Sequence, residues 1–406
     1  MQATKRRIAR ADGSNYVLSS SLLPGHGNES QSHLYLNLSI INGDTGDAKS
    51  STPQQCVFSE VRSTPIIQDA SEYDLSVVRF TSNGIGRLLP LFIPVIQPDQ
   101  VSPVDVDLTI YSLTVSTVPT VAGSQVYVKY VTSNLDARKP MGVTPQDLSS
   151  DYYYVRTYTA WCTMFNTALK QAIYEEFGPD IPTEYRLLDS QGLSYSSSTR
   201  LFSLLLPDVF HPATAEPGSL PFAYLSFNAP MANLLANFNF TTQNSPIVNG
   251  RAFTLVTPPL SSYAGAPKLI TQDFQSTDDI WSPIETFVFT TSFVPLLPEQ
   301  GSAPVVVGTD NTGQNLGVSS GFTNVITDFT PDLTNGAQEG LSSQVYLPSG
   351  EYRISSMTTH QAVQQVDISL WWRYRLTGQL FPVYMSNLSN VSMKIMFRRK
   401  DWGGKA

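Results

Sequence analysis

The sequence predicts a mainly β chain: two jelly-roll or Greek-key β-sandwiches (a double jelly roll), with one amphipathic helix inserted in the first. Three observations carry that expectation. Charged residues make up 14% of the 406 residues, and 47 Ser with 36 Thr supply polarity instead. Twenty-five Gly and 28 Pro punctuate the chain at short intervals. Between them lie short runs that alternate apolar and polar residues, the mark of half-buried strands. So few charges and so many turn residues exclude a coiled coil, a long-helix protein and a charged disordered chain. At roughly 100–200 residues per domain, the length suggests two domains.

The elements follow in order. Segment 33–40 (HLYLNLSI) sets Leu34, Leu36, Leu38 and Ile40 on one face. A loop rich in Gly, Asp, Ser and Thr covers 41–54, and strands are expected at 56–62, 72–80, 106–115 and 125–131. The apolar run 88–98 carries Pro90, Pro94 and Pro98, so it reads as an edge or a packed connection. Residues 151–177 break the pattern. Tyr154, Tyr158, Trp161, Phe165, Leu169 and Ile173 recur at helical spacing, and Gly178-Pro179 ends the run. This predicts one amphipathic helix whose aromatic stripe packs into a core. A shorter helix is expected at 229–238, with Pro230 in its first turn.

Strands resume at 200–206, 221–227 and 251–257, and residues 258–280 read as a linker. Beyond it come 284–294, 304–308, 321–329, 344–347, 351–357, 365–376, 379–385 and 389–398. In 366–376, Val366, Ile368 and Leu370 face one way and Asp367 and Ser369 the other, before a hairpin turn at 376–379. The expected organisation is an arm at 1–30, a first jelly roll at 31–257 with its helix at 151–177, the linker, and a second jelly roll at 281–406.

The net charge of −8 divides unevenly. Lys5, Arg6, Arg7 and Arg10 put +4 in the first ten residues. Lys394, Arg398, Arg399, Lys400 and Lys405, less Asp401, put +4 in the last thirteen, so residues 11–393 carry −16. An acidic body with basic ends can touch a polyanion through its termini and repel it elsewhere. No apolar run is long enough to span a membrane, and no apolar stretch follows the basic start to make a secretory leader.

Catalytic patterns are scarce. His26, His33, His211 and His360 are scattered and Cys56 and Cys162 lie far apart, so no metal site, cofactor site or disulfide framework is expected. The GVSSG sequence at 317–321 matches a serine-hydrolase pattern with Ser319 as nucleophile. It sits in a loop rich in Gly, Asn, Ser and Thr, without the strand-to-helix turn that the chemistry needs. Two carboxylate pairs, Asp278-Asp279 and Glu175-Glu176, show no catalytic spacing. No enzyme is expected.

Residues 58–98, 226–240, 325–332, 345–355 and 366–400 resemble capsid proteins of small aquatic viruses, in the neighbourhood of virophages and polinton-like viruses. The resemblance covers about half the chain in scattered blocks. It implies a shell subunit in the virion, assembled inside the host cell, whose partners are copies of itself and other capsid proteins. Two jelly rolls in one chain would suit a trimeric tile; a single roll with a large insertion would suit a five-fold vertex. Loops at 41–54, 132–150 and 299–320 would form an outer crown or grip neighbours. Lys5, Arg6, Arg7 and Arg10, with Arg398, Arg399 and Lys400, would face the genomic nucleic acid or an inner membrane; FRRK at 397–400 reads equally as a strand end with a solvated tail. The readings from other classes are a receptor- or glycan-binding adhesion module, which 19 Tyr and five Trp would equip for stacking on sugars, and a secreted glycoside-active enzyme, which the missing leader disfavours.

Overall fold

The computed structural model describes residues 7–9, 15–17, 33–43, 54–83, 89, 111–118, 123–131, 151–213, 220–245, 248, 250–274, 281–300, 305–307, 312–315, 322–330, 343–348, 353–375 and 377–400. Alternation decides the strands nearest the two ends. Val366, Ile368 and Leu370 are buried from one side of Gln365–Tyr374, while Leu36 and Leu38 are buried from one side of His33–Ile41.

Eight antiparallel strands of this kind close a sandwich. In chain order they are His33–Ile41, Val57–Val61, Tyr73–Asn83, Ile284–Thr290, Val325–Phe329, Ser343–Tyr346, Gln365–Tyr374 and Asn390–Arg399. One sheet runs first, eighth, third, sixth; the other runs second, seventh, fourth, fifth. That interleaved order is the jelly roll. Its two inner faces meet through aromatic rings. Phe80 packs edge-on to Phe289 at 5.1 Å, and Phe329 stacks on Tyr346 at 4.6 Å.

The fold is mainly β and of jelly-roll type, with two β bodies, as the sequence predicts. The division of the chain between them differs from the expected one. Both ends build the same sandwich: His33–Ile41 pairs along its length with Asn390–Arg399, and Val57–Val61 pairs with residues 365–369. The second body is nested between the third and fourth strands. Alternation tells which face of a strand is buried but not which strand lies beside it, so a boundary drawn by counting strands misses the nesting. Nor is 258–280 a simple linker, because Lys268–Thr271 pairs with Leu201–Leu206. Within the expected arm, Arg7–Ala9 pairs with Asn15–Val17.

The nested body has two antiparallel sheets. One orders Phe240–Ser245, Gly250–Leu255, Tyr224–Phe227, Ser112–Ser116 and Val126–Tyr127; the other orders Lys268–Thr271, Leu201–Leu206 and Gly192–Ser196. Helix Tyr158–Phe177 fills the space between Ser112–Ser116 and Gly192–Ser196. The helix starts later than the expected 151. Thr157 caps it by accepting the Ala160 N–H at 3.1 Å, and Gly178, with φ 71°, ends it by donating to the Tyr174 carbonyl at 2.7 Å. Residues before the cap serve the other body: Tyr153 and Tyr154 are buried in the sandwich core, where Tyr154 meets Trp372 at 6.1 Å. The second helix, Ala229–Leu234, is shorter than expected. It is capped by Asn228, whose Oδ1 also accepts the Ser112 N–H.

Candidate functional site

The C-terminal basic residues are drawn together at one end of the sandwich, where acids await them. Arg398 lies opposite Asp74 on one neighbouring strand and His33 on the other. Arg399 Nη2 is 3.3 Å from Glu72 Oε2. Lys400 Nζ donates to the Met357 carbonyl at 2.7 Å and lies 3.9 Å from Asp74 Oδ1. These residues fasten the last strand to the turn at Ala70–Glu72. Burial, and then the nearby Arg398 charge, hold His33 below its ordinary pKa. Arg7 lies in the paired segment Arg7–Ala9, whereas Lys5, Arg6 and Arg10 fall outside the described residues.

Groups with chemical potential do not converge among the described residues. Among the described residues no three His, Cys, Asp or Glu side chains gather as metal ligands. Cys56 and Cys162 are buried, and burial pushes each thiol up to about 12, so neither supplies a thiolate at neutral pH. Buried His211 places Nδ1 3.3 Å from the Pro258 carbonyl, and burial keeps its pKa low, so its ring is neutral at pH 7. The two helix glutamates diverge. Glu176 accepts the Thr117 N–H and hydroxyl at 2.9 and 3.0 Å, while Glu175 accepts the Gln171 amide. Ser319, Asp278 and Asp279 lie outside the described residues.

One constellation imitates a hydrolase triad. Ser71 Oγ lies 2.9 Å from His360 Nδ1, Asp69 Oδ2 lies 3.1 Å from the same nitrogen, and Ser71 donates to Asp69 Oδ1 at 2.6 Å. A relay needs the carboxylate on one imidazole nitrogen and the serine on the other. Here both sit on Nδ1, and the histidine side chain is 85% exposed. The Ser71 hydroxyl, followed by His360, holds Asp69 below the ordinary carboxylate range. The trio caps the turn at Ala70–Glu72 and orients nothing for catalysis.

What the molecule does present is ordered apolar surface. Beside the sixth strand, Phe293, Leu297, Val345 and Leu347 are each more than half exposed; near the opposite edge, Ile41, Val61 and Leu388 are similarly open. Phe293 is not a loose loop residue. The buried Asp367 carboxylate accepts the Thr291 hydroxyl at 2.7 Å and the Ser292 and Phe293 N–H groups at 2.9 and 2.8 Å. Thr291 Oγ1 in turn accepts the Val294 N–H at 3.1 Å, and the Leu297 N–H donates to the Ser356 carbonyl. A turn pinned at this many points presents its apolar tips with little ordering entropy left to lose. Sequence reading placed Asp367 on the polar side of its strand and missed this role. The available signal was a lone acid within an otherwise uncharged, mostly apolar run, VDISLWW.

A model of the family "Sputnik minor capsid protein V18/19" matches residues 34–399. The Sputnik virophage protein described as "Uncharacterized protein V18" is 36% identical over 128 residues, which are 30% of this chain and 74% of that protein. Among solved structures, a chain of the Sputnik virophage from cryo-EM superposes with a TM-score of 0.68 at 21% identity, covering 93% of this chain and 100% of its own. The mavirus penton protein superposes with a TM-score of 0.61 at 15% identity, covering 91% and 100%. At those identities the structural likeness shows the jelly-roll fold. With its match running from the first strand of the sandwich to the last, the chain belongs to the Sputnik minor capsid protein V18/19 family, as a structural protein of the virion capsid.

Proposed function

We propose that the chain is a vertex subunit, copies of which close a ring at the five-fold positions of an icosahedral shell built with other capsid proteins around the genome. The observation that carries this reading is the nesting. Both ends close one sandwich, so each copy offers a single block with two different apolar edges and a second body carried on one connection. Unlike edges make heterologous contacts, which generate rings when the rotation closes. The likeness to the mavirus penton protein supports the same reading. Contact with genomic nucleic acid falls to Lys5, Arg6, Arg7 and Arg10, because the C-terminal basic cluster already faces Glu72 and Asp74.

Native mass spectrometry and negative-stain microscopy of the purified chain test this reading. Closed rings of copies are expected, and their association with DNA should weaken with salt and drop when residues 1–10 are deleted. A stable monomer with affinity for sugars would instead establish the adhesion module. Ring formation with unchanged DNA association after the deletion would remove the role of the basic arm alone.

A further inference from the structure

The outer face of the sheet that contains the first and last strands carries positive charge in an unusual arrangement. Across it, Asn37, Lys394 and Arg79 stand side by side on three neighbouring strands. Lys394 and Arg79 are directly opposite, and residues so placed are separated by about 4.5–5.5 Å between Cα atoms. Like charges in that position destabilise a sheet by themselves. Among the described residues the Arg79 side chain has no ion pair or hydrogen bond, and Lys394 contacts only the Tyr35 ring, 4.6 Å from its centroid. Asp74, the acid on this face, is engaged by Lys400 and by the Ser356 hydroxyl. Arg398, outward on the same strand as Lys394, lies opposite Asp74, while the outward residues Ser39, Ser76, Thr81, Asn83, Asn390 and Ser392 are uncharged. The face therefore holds two cations, Arg79 and Lys394, that make no ion pair among the described residues.

The opposite charge lies elsewhere on the same chain. The end of helix Tyr158–Phe177 and the segment after it carry Glu175, Glu176, Asp180, Glu184 and Asp189 against Arg186. Glu175, Asp180, Glu184 and Asp189 are exposed, as are the apolar side chains of Tyr174 and Leu188. Asp189 pairs with Lys170, but Asp180 and Glu184 make no ion pair or hydrogen bond through their side chains among the described residues. Their short segment is fixed by the Tyr185 hydroxyl, which donates to the Pro221 carbonyl at 2.6 Å, and by Arg186, which donates to the Ile181 carbonyl at 2.9 Å.

We propose that these two surfaces meet between neighbouring copies: the Arg79–Lys394 sheet face of one chain receives the Asp180–Glu184 end of the next chain's nested body. The occupant is a second copy because the complementary charge, held in an ordered segment and flanked by exposed apolar side chains, is present on this chain. The contact is heterologous, since the two surfaces differ, and it relieves the cross-strand repulsion on assembly. It rests on the ring reading above and specifies which surfaces join.

The test compares the full-length wild-type chain with charge-reversed variants by sedimentation and native mass spectrometry at several salt concentrations. Circular dichroism confirms that each variant folds; all four positions are exposed or outward-facing. The R79E/K394E variant should lose ring formation, with association weakened about tenfold or more at low salt, and D180K/E184K should behave alike. Combining all four substitutions should restore assembly. Wild-type assembly should itself weaken as salt rises, because the contact is ionic. Rings of R79E/K394E with wild-type salt dependence would overturn this contact while leaving the ring reading intact. So would normal rings that have lost only DNA association, which would assign the face to nucleic acid. A wild-type chain that stays monomeric would remove the ring reading, and this contact with it.

Discussion

Asp367→Ala is expected to destabilise the protein by about 3 kcal/mol, read as a lower urea midpoint with an unchanged slope. The substitution removes no large side chain. Its cost comes from the donors left behind: the Thr291 hydroxyl and the Ser292 and Phe293 N–H groups all point at the lost carboxylate. Hydrogen bonds to a charged acceptor contribute about 1.5–3 kcal/mol each when counted singly, and shared ones add less than their sum. Asp367→Asn should fall between the two, since one amide oxygen can serve part of the set. The turn also holds Phe293 outward, so Asp367→Ala should impair assembly at temperatures where the sandwich remains folded. An alanine variant as stable as the wild type would show that the turn stands without its carboxylate anchor.

Trp281→Ala carries an expected cost of about 4 kcal/mol. The indole is buried and stacks on Phe202 at 5.0 Å, with Tyr158 at 5.2 Å and Trp161 at 5.7 Å meeting it edge-on. Its Nε1–H donates to the Leu234 carbonyl at 2.8 Å, at the end of the short helix. Removing it leaves a cavity and an orphaned carbonyl together. Position adds a second consequence. Trp281 belongs to the nested core, while Ile284, three residues on, begins the fourth strand of the sandwich. Trp281→Ala should therefore loosen the junction between the bodies, detectable as new proteolytic cleavage near residues 275–283. Trp281→Phe keeps the stacking but not the hydrogen bond, and should cost about 1–2 kcal/mol. Equal stability of the alanine and phenylalanine variants would contradict the packing account.

The sandwich strands nearest the two chain ends were legible from alternation: Leu36 with Leu38, Val366 with Ile368 and Leu370, Val391 with Met393 and Ile395. The helix was legible from its aromatic stripe. Strand Gly192–Ser196 was not, because only Leu193 and Tyr195 mark its inner face and the serines that follow read as a turn; Gly192 permits close approach of Asn166 at a φ of 105°. Strand Lys268–Thr271 was hidden in the same way by the turn-rich sequence around it. Pairing across the whole chain lay beyond any local pattern, since nothing in HLYLNLSI names VSMKIMF as its neighbour. The same limit applies to the surfaces. Arg79 and Lys394 are far apart in sequence, and only the register makes them opposite residues. In sequence Arg399 and Lys400 read as genome-facing or as a solvated tail, and only the fold sets Glu72 and Asp74 beside them.

The nesting of one β body inside the sandwich closed by both chain ends is tested most directly by a designed cross-link. Ser39 and Ser392 are directly opposite on the first and last strands, at an antiparallel separation within disulfide reach. Native Cys56 and Cys162 are both buried and do not compete. In the S39C/S392C variant, mild oxidation is predicted to form an intramolecular disulfide, giving a single-chain mass with faster migration on a non-reducing gel and a raised thermal midpoint. Thiols that stay reduced in the folded protein, or that link only two different copies, would contradict a sandwich closed by the two ends of one chain.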